Sequence, residues 1–211
     1  MTHSPTTEPG ISTEPVLLFD MFGVIARLQS EAGKVRLAET AGMAEEPFWS
    51  AYWSLRQPYD RGDVGGSAYW QRVADALGTT FRPERIADLI EADLASWSAV
   101  DDEMVALIEQ LAASGRRIAL LSNIPEELAC RYEQQHAWLK HFEVCAFSCR
   151  IGHAKPEPGA YRWACEALAT APEQILFIDD RTENIEAARA AGLQGRLFTT
   201  ADDLKTALGV G

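Results

Sequence analysis

Val16-Leu17-Leu18-Phe19-Asp20-Met21-Phe22-Gly23-Val24 is the stretch on which the fold turns. Four apolar residues without interruption read as a strand buried on both faces, and the run stops on a carboxylate. Two further runs share this design: Arg117–Leu121 leads into Ser122-Asn123, and Ile175–Ile178 into Asp179-Asp180. Val144–Phe147 and Gly195–Phe198 are weaker strand candidates. Segments of helical spacing fall between them. Asp101–Ser114 carries Met104, Val105, Ile108 and Leu111 on one face and stops at Gly115; Pro158–Ala169, Thr182–Ala191 and Ala201–Leu208 behave similarly. Apolar strands alternating with amphipathic helices predict an α/β fold, a Rossmann-like parallel sheet with helices on both faces.

The first crossover is too long for one βαβ unit. Residues 29–98 contain no convincing strand and read as four helices, near 30–42, 45–56, 66–78 and 83–96. We therefore expect an inserted α-helical cap over 29–98, with residues 15–28 and 99–211 forming the α/β core and residues 1–14 a disordered tail. The aromatics of the insertion, among them Phe48, Trp49, Tyr52, Tyr69 and Trp70, are expected to build the cap's own small core. Gln57–Asp63 reads as a polar turn between two cap helices that faces the site.

Composition narrows the function classes. A formal net charge of -12 over 211 residues argues against a general nucleic-acid binder, which needs clustered Lys and Arg to neutralise phosphates. No apolar run reaches the roughly 18–20 residues of a membrane helix. Residues 1–14 lack the basic and apolar regions of a signal peptide. The four cysteines (Cys130, Cys145, Cys149, Cys165) form no CxxC pair and are expected to be buried thiols, which suits a reducing cytoplasm.

The chemistry is written at the strand ends. In parallel α/β sheets the carboxyl ends of the strands line the ligand crevice, so Asp20, Ser122-Asn123 and Asp179-Asp180 are delivered to one edge from three strands. Lys155, in an Ala-Lys-Pro-Glu-Pro stretch, adds a cation. Taken singly each has a plainer reading: Asn123 as a helix N-cap with Pro125 and Glu126 behind it, Lys155 as a solvated lysine, Gly23 as a turn residue.

Together, in this order, they resemble the haloacid dehalogenase superfamily. The resemblance rests on Phe19-Asp20-Met21-Phe22-Gly23-Val24, on Leu121-Ser122-Asn123, on His153-Ala154-Lys155-Pro156, and on Phe177-Ile178-Asp179-Asp180-Arg181 with Glu183-Asn184; it spans about residues 15–208. It implies a Mg²⁺-dependent phosphatase of the sugar-1-phosphate phosphatase-like branch, acting on a small phosphorylated metabolite. Asp20 would be the nucleophile and form an aspartyl phosphate. The ion would be held by Asp20, Asp180 and the main-chain carbonyl of Phe22, with Asp179 standing behind Asp180. Ser122 and Asn123 would contact the phosphate, and Lys155 would hold both phosphate and Asp20.

One position departs from the family. Its phosphatases usually carry a second Asp two residues after the nucleophile, to protonate the leaving oxygen and activate water; here that residue is Phe22. General acid–base catalysis is typically worth about 10²–10⁴ in rate. Three readings follow: a phosphatase whose leaving group is a weak base, such as an anomeric sugar phosphate; a metal-independent 2-haloacid dehalogenase-type hydrolase, in which an aromatic residue occupies this position; and a binding or regulatory protein without turnover. Asp60, Asp63 and His153 are the candidates for a substitute proton-transfer group.

Overall fold

The computed structural model describes residues 14–210. The expected tail therefore lies almost wholly outside the described residues; Glu14, its last member, pairs with Arg116 at 3.1 Å.

Strands β1 (Val16–Phe19), β2 (Ile118–Ser122), β3 (Cys145–Phe147), β4 (Ile175–Asp179) and β5 (Gln194–Leu197) form one sheet in the order β3-β2-β1-β4-β5. All neighbours are parallel. β1 is central and buried at every residue. Its side chains alternate between two cores. Leu17 and Phe19 pack towards α6 (Asp102–Ala113), α7 (Glu126–Gln135) and α11 (Ala201–Leu208). Val16 and Leu18 pack towards α9 (Pro158–Ala167), which follows β3 and the short α8 (Ser148–Ile151), and towards α10 (Thr182–Ala190), on the other side. This two-sided burial is why the strands read as continuous apolar runs rather than alternating ones.

The register levels the strand ends: Phe19 lies beside Leu120 on one side and Ile178 on the other. The chain runs outward from β1 through β2 to β3, then crosses back to place β4 and β5 on the other side of β1. The sheet therefore has a switch point at the carboxyl end of β1, where a crevice must open. Strand limits differ from the sequence reading by a residue: Ser122 and Asp179 close their strands rather than following them, and β5 begins at Gln194. The cysteines differ more. All four are free but only half-buried, because β3 is the sheet edge and Cys130 and Cys149 lie against Glu126 at the surface.

The insertion after β1 contains five helices, not four: α1 (Glu31–Ala41), α2 (Glu45–Ser54), α3 (Arg56–Asp60), α4 (Gly66–Ala76) and α5 (Pro83–Ser96). The expected polar turn at 57–63 is half helix, since α3 continues from α2 with only Leu55 between them. Leu37, Phe48, Tyr52, Tyr69, Trp70 and Leu89 fill a core separate from the two around the sheet. The segments that enter and leave it are stitched together: Arg27 N–H donates to Ala99 O and Asp101 N–H to Ile25 O, both at 2.9 Å. Among the described residues no helix is long and apolar enough to cross a membrane.

Inside this core sits an ion cluster. Arg56 meets Asp60 through Nε and Asp93 through Nη1, both at 2.8 Å, and Nη1 also donates to the Tyr52 hydroxyl at 2.5 Å. The rings of Tyr52 and Tyr59 flank the guanidinium at 5.1 and 5.2 Å. Its burial is tolerable because every charge is paired; removing one partner strands the rest. Asp93→Ala is expected to lower unfolding free energy by about 3–5 kcal/mol, read from urea unfolding curves. A loss no larger than that of an exposed Asp→Ala control would refute the role.

Candidate functional site

β1, β2 and β4 bring Asp20, Ser122 and Asp179-Asp180 to one edge of the sheet, and the loop before α9 brings Lys155 across to them. Lys155 is buried, and its ammonium lies 2.6 Å from Asp20 Oδ1 and 2.8 Å from Asp179 Oδ2. A surface lysine is thereby ruled out. The loop is gripped by Asn123, whose amide donates to Lys155 O and accepts from Lys155 N–H, each at 2.8 Å. Asn123 is not the N-cap of α7, a place taken by Pro125. Both ends of its side chain are committed to Lys155, although the residue also lines the cavity described below.

The carboxylates are not equivalent. Asp20 accepts from the Met21 N–H at 2.6 Å in addition to Lys155. Asp179 is filled: Lys155, the Arg181 N–H and the Asn184 amide all donate to it. Burial works to raise its pKa, but these donors win and hold it below the ordinary carboxylate value. Among the described residues Asp180 has no such supply, and its Oδ1 is buried without a hydrogen-bond partner. Burial first, and Asp179 second, push Asp180 up. Asp20 is raised to about 7, by burial above all and by Asp179, against the pull of Lys155. Three carboxylates thus share one ammonium, and two of them respond to the shortage of positive charge.

That shortage has a geometric counterpart. One oxygen from each of Asp20, Asp179 and Asp180 lies within 4.8 Å of the others. Oxygen donors at this separation, two of them short of a cation, fit a hard divalent ion such as Mg²⁺. The loop after β1 is shaped to the same end. Its hydrogen bonds run to the Met21 and Ala26 carbonyls and leave that of Phe22 unused. Gly23 adopts φ 91°, and a Cβ there would fall inside the Asp180 carboxylate. Gly23 is therefore required twice, for its conformation and for the room it leaves Asp180.

Above the carboxylates is a cavity of about 380 Å³. Asp20, Asn123, Lys155, Asp180, Arg181 and Asn184 line it from the sheet side; Trp53, Arg56, Asp60 and Trp97 line it from the insertion and its exit. Phe22, Leu28 and Leu128 complete the apolar wall. The Phe22 ring stands edge-on to Trp97 at 5.1 Å and to Tyr132 at 5.6 Å, so it is packed into the wall rather than left hanging. Ser122 lies beneath this surface: it is fully buried, and among the described residues its hydroxyl has no partner. An unpaired buried hydroxyl costs about 1–3 kcal/mol, which a ligand oxygen reaching it would recover.

Of the three candidate proton-transfer groups, only Asp60 reaches the cavity. Asp63 is at the surface, paired with Arg61, and His153 is exposed. Sequence reasoning did not single out Arg56, Trp53, Trp97 or Leu28, whose placement depends on how the insertion folds back. Asn184 was visible within the fourth motif, but not its grip on Asp179.

Comparison with known proteins agrees with this arrangement. The model of the haloacid dehalogenase-like hydrolase family matches residues 15–192. Rat bifunctional epoxide hydrolase 2 is 25% identical over 203 residues, 84% of this chain but only 35% of its own length. Protein CbbY of Rhodobacter capsulatus is 27% identical, with 90% of this chain and 89% of that protein covered. A phosphoglycolate phosphatase of Cereibacter sphaeroides is 28% identical over 88% of this chain and 85% of its own. Among solved structures, a haloacid dehalogenase family enzyme of Bacteroides thetaiotaomicron superposes with TM-score 0.77 at 17% identity, covering 92% of this chain and 98% of that one. In a complex with magnesium and inorganic phosphate the same enzyme gives 0.72, at 18% identity and over 88% and 94% of the chains. An L-2-haloacid dehalogenase of Xanthobacter autotrophicus, with chloropropionic acid covalently bound, gives 0.66 at 14% identity, over 93% and 83% of the chains. With the motifs at the sheet's switch point and a family match across most of its length, the chain belongs to the haloacid dehalogenase-like hydrolase family.

Proposed function

We propose that the protein is a Mg²⁺-dependent phosphatase that hydrolyses a small phosphorylated metabolite through an aspartyl phosphate on Asp20. The observation that carries this reading is the deficit of positive charge among Asp20, Asp179 and Asp180, with one Asp180 oxygen buried and unpaired. Similarity to phosphatases supports it as well. Asp20, Asp180 and the Phe22 carbonyl would hold the ion, and Asp179, already filled, would orient Lys155 behind them. The ion would supply charge neutralisation, allowing an anionic ester to approach carboxylates.

The steps of this chain's own residues follow. Asp20 attacks phosphorus in line with the ester oxygen; the P–O ester bond breaks as the aspartyl phosphate forms. Lys155 balances charge at Asp20 as negative charge moves to the phosphoryl oxygens. Water then attacks phosphorus, inorganic phosphate leaves, and the Asp20 carboxylate is restored. The Phe22 ring can neither protonate the departing oxygen nor activate that water. Weakly basic leaving groups, such as the anomeric oxygen of a sugar 1-phosphate, suffer least from this omission.

The aromatic at position 22 also favours a second reading, a metal-independent 2-haloacid dehalogenase, because halide leaves without a proton. Against it stands the carboxylate surplus, which without a cation is costly. Phosphate release from p-nitrophenyl phosphate that requires Mg²⁺ supports the phosphatase; chloride release from 2-chloropropionate in the presence of chelator would replace it.

Asp20→Asn is expected to lower Mg²⁺-dependent phosphate release by at least about 10³-fold, since an amide is a far poorer nucleophile. Near-normal turnover would sink the mechanism. Gly23→Ala should weaken Mg²⁺ binding about tenfold or more by displacing Asp180, measured by titration calorimetry against the unsubstituted protein. Phe22→Asp should raise activity on alkyl phosphates more than on p-nitrophenyl phosphate, by a factor approaching about 10². Equal gains on both would refute the leaving-group argument.

A further inference from the structure

The ion cluster of the insertion is more than internal glue, because one side of it is a wall of the cavity. Arg56 and Asp60 both line the space above Asp20, whereas Asp93 lies behind them with 1% of its side chain exposed. Asp60 is the most open member, at 17% side-chain exposure. Two carboxylates share one guanidinium, so this wall carries a surplus of acid over base.

The other cations of the cavity are paired as well, Arg181 only at the surface, with 61% of its side chain exposed. Lys155 is held between Asp20 and Asp179, and Arg181 pairs with Glu183. Among the described residues lining the cavity, none offers an unpaired cation to a ligand. One anionic group can be accommodated over Asp20 and Asp180 if a divalent ion accompanies it. A second, placed in the space walled by Trp53, Trp97 and Leu28, would meet the Asp60 carboxylate, whose own cation, Arg56, is already shared with Asp93.

We infer that the Arg56–Asp60 pair makes the site selective for phosphate esters whose remaining part is uncharged or cationic, with a hydroxyl or ammonium group to meet Asp60, and makes it reject esters bearing a second anion such as a carboxylate or a further phosphate. The inference rests on the phosphatase reading for the placement of the phosphate over Asp20. It departs from the carboxylate-bearing substrate that the name of the Cereibacter relative implies for that protein. The cavity, at about 380 Å³, has room for a phosphoryl group and a small organic remainder.

Three probes of one two-carbon skeleton test it: 2-hydroxyethyl phosphate, phosphoethanolamine and phosphoglycolate, which end in hydroxyl, ammonium and carboxylate. Their binding is measured by calorimetry in Mg²⁺ on the full chain carrying Asp20→Asn, so that turnover does not interfere. The first two should bind at least about tenfold more tightly than phosphoglycolate. Adding Asp60→Asn, which keeps the oxygen that Arg56 uses, should close that gap to about threefold or less by improving phosphoglycolate. A general aversion of an acidic protein to anions would leave the gap unchanged by Asp60→Asn, and that outcome overturns the inference. So does phosphoglycolate binding as tightly as the others, or no binding of any probe at millimolar concentration. The comparison among the three probes needs no change in the insertion and stands if Asp60→Asn does not fold. Phosphate release by the unsubstituted protein separates the two layers. If it cleaves phosphoglycolate as well as 2-hydroxyethyl phosphate, the selectivity fails and the phosphatase stands; if it releases no phosphate even from p-nitrophenyl phosphate while the binding order holds, the reverse is true.

Discussion

The Lys155 ammonium, buried between Asp20 and Asp179, is the interaction around which the site is arranged. A lysine in that position is affordable only while both carboxylates stay close, and they stay close only while β1 and β4 are neighbours in register. The parallel pairing of the sheet is thus coupled directly to the charge balance of the site. Asn123 at the end of β2 adds the third strand by clamping the backbone of Lys155 from both sides. Three strands and one loop are therefore locked together through a single residue, and the chemistry proposed for Asp20 inherits that rigidity.

The same charge explains the division of labour between adjacent aspartates. Asp179 spends its oxygens on Lys155, Asn184 and the Arg181 N–H, which fixes its orientation and keeps it ionised. Asp180 is left with an unpaired oxygen in a half-buried position, a state that costs energy unless something cationic arrives. Gly23 keeps that position open, since any side chain there would occupy the space of the carboxylate. The unpaired oxygen is a local sacrifice of stability of the kind that binding sites make, offset by the dense packing of β1 beneath it.

Much of this was legible in the sequence because it is written locally. Val16–Phe19 announces a two-sided strand by composition alone, and a carboxylate at its end is placed by the general geometry of parallel sheets, whatever the rest of the chain does. The three acids could therefore be brought to one edge from their strand-end positions, whereas Lys155, in a loop, was placed with them by the motif it resembles. What was not legible depends on tertiary geometry. α3 is five residues long, contains Pro58 and carries Arg56 and Asp60, a pattern that reads as a turn because the rings around it, Tyr52 and Tyr69, come from other helices of the insertion. Nothing in the spacing of Arg56 and Asp93, 37 residues apart, says that they meet. Ser122 marks the opposite limit: its position at the end of β2 was readable, but not that it lies beneath the cavity surface.

Phe22 ties these strands of argument together. Replacing a carboxylate by a ring at this position removes a proton donor, but it also removes a charge from a site already short of cations. A fourth acid beside Asp20, Asp179 and Asp180 would deepen the deficit that the single lysine leaves. The ring instead joins Trp97 and Tyr132, and Tyr132 in turn donates its hydroxyl to Trp97 O at 2.5 Å, so that the loop after β1 is packed against the exit from the insertion. The ring that the proposed mechanism leaves without an acid–base role therefore forms part of the apolar wall of the cavity. On this view the loss of the acid and the selectivity assigned to the Arg56–Asp60 pair belong to one design, in which the leaving group is chosen by the cavity because it is not helped by a proton.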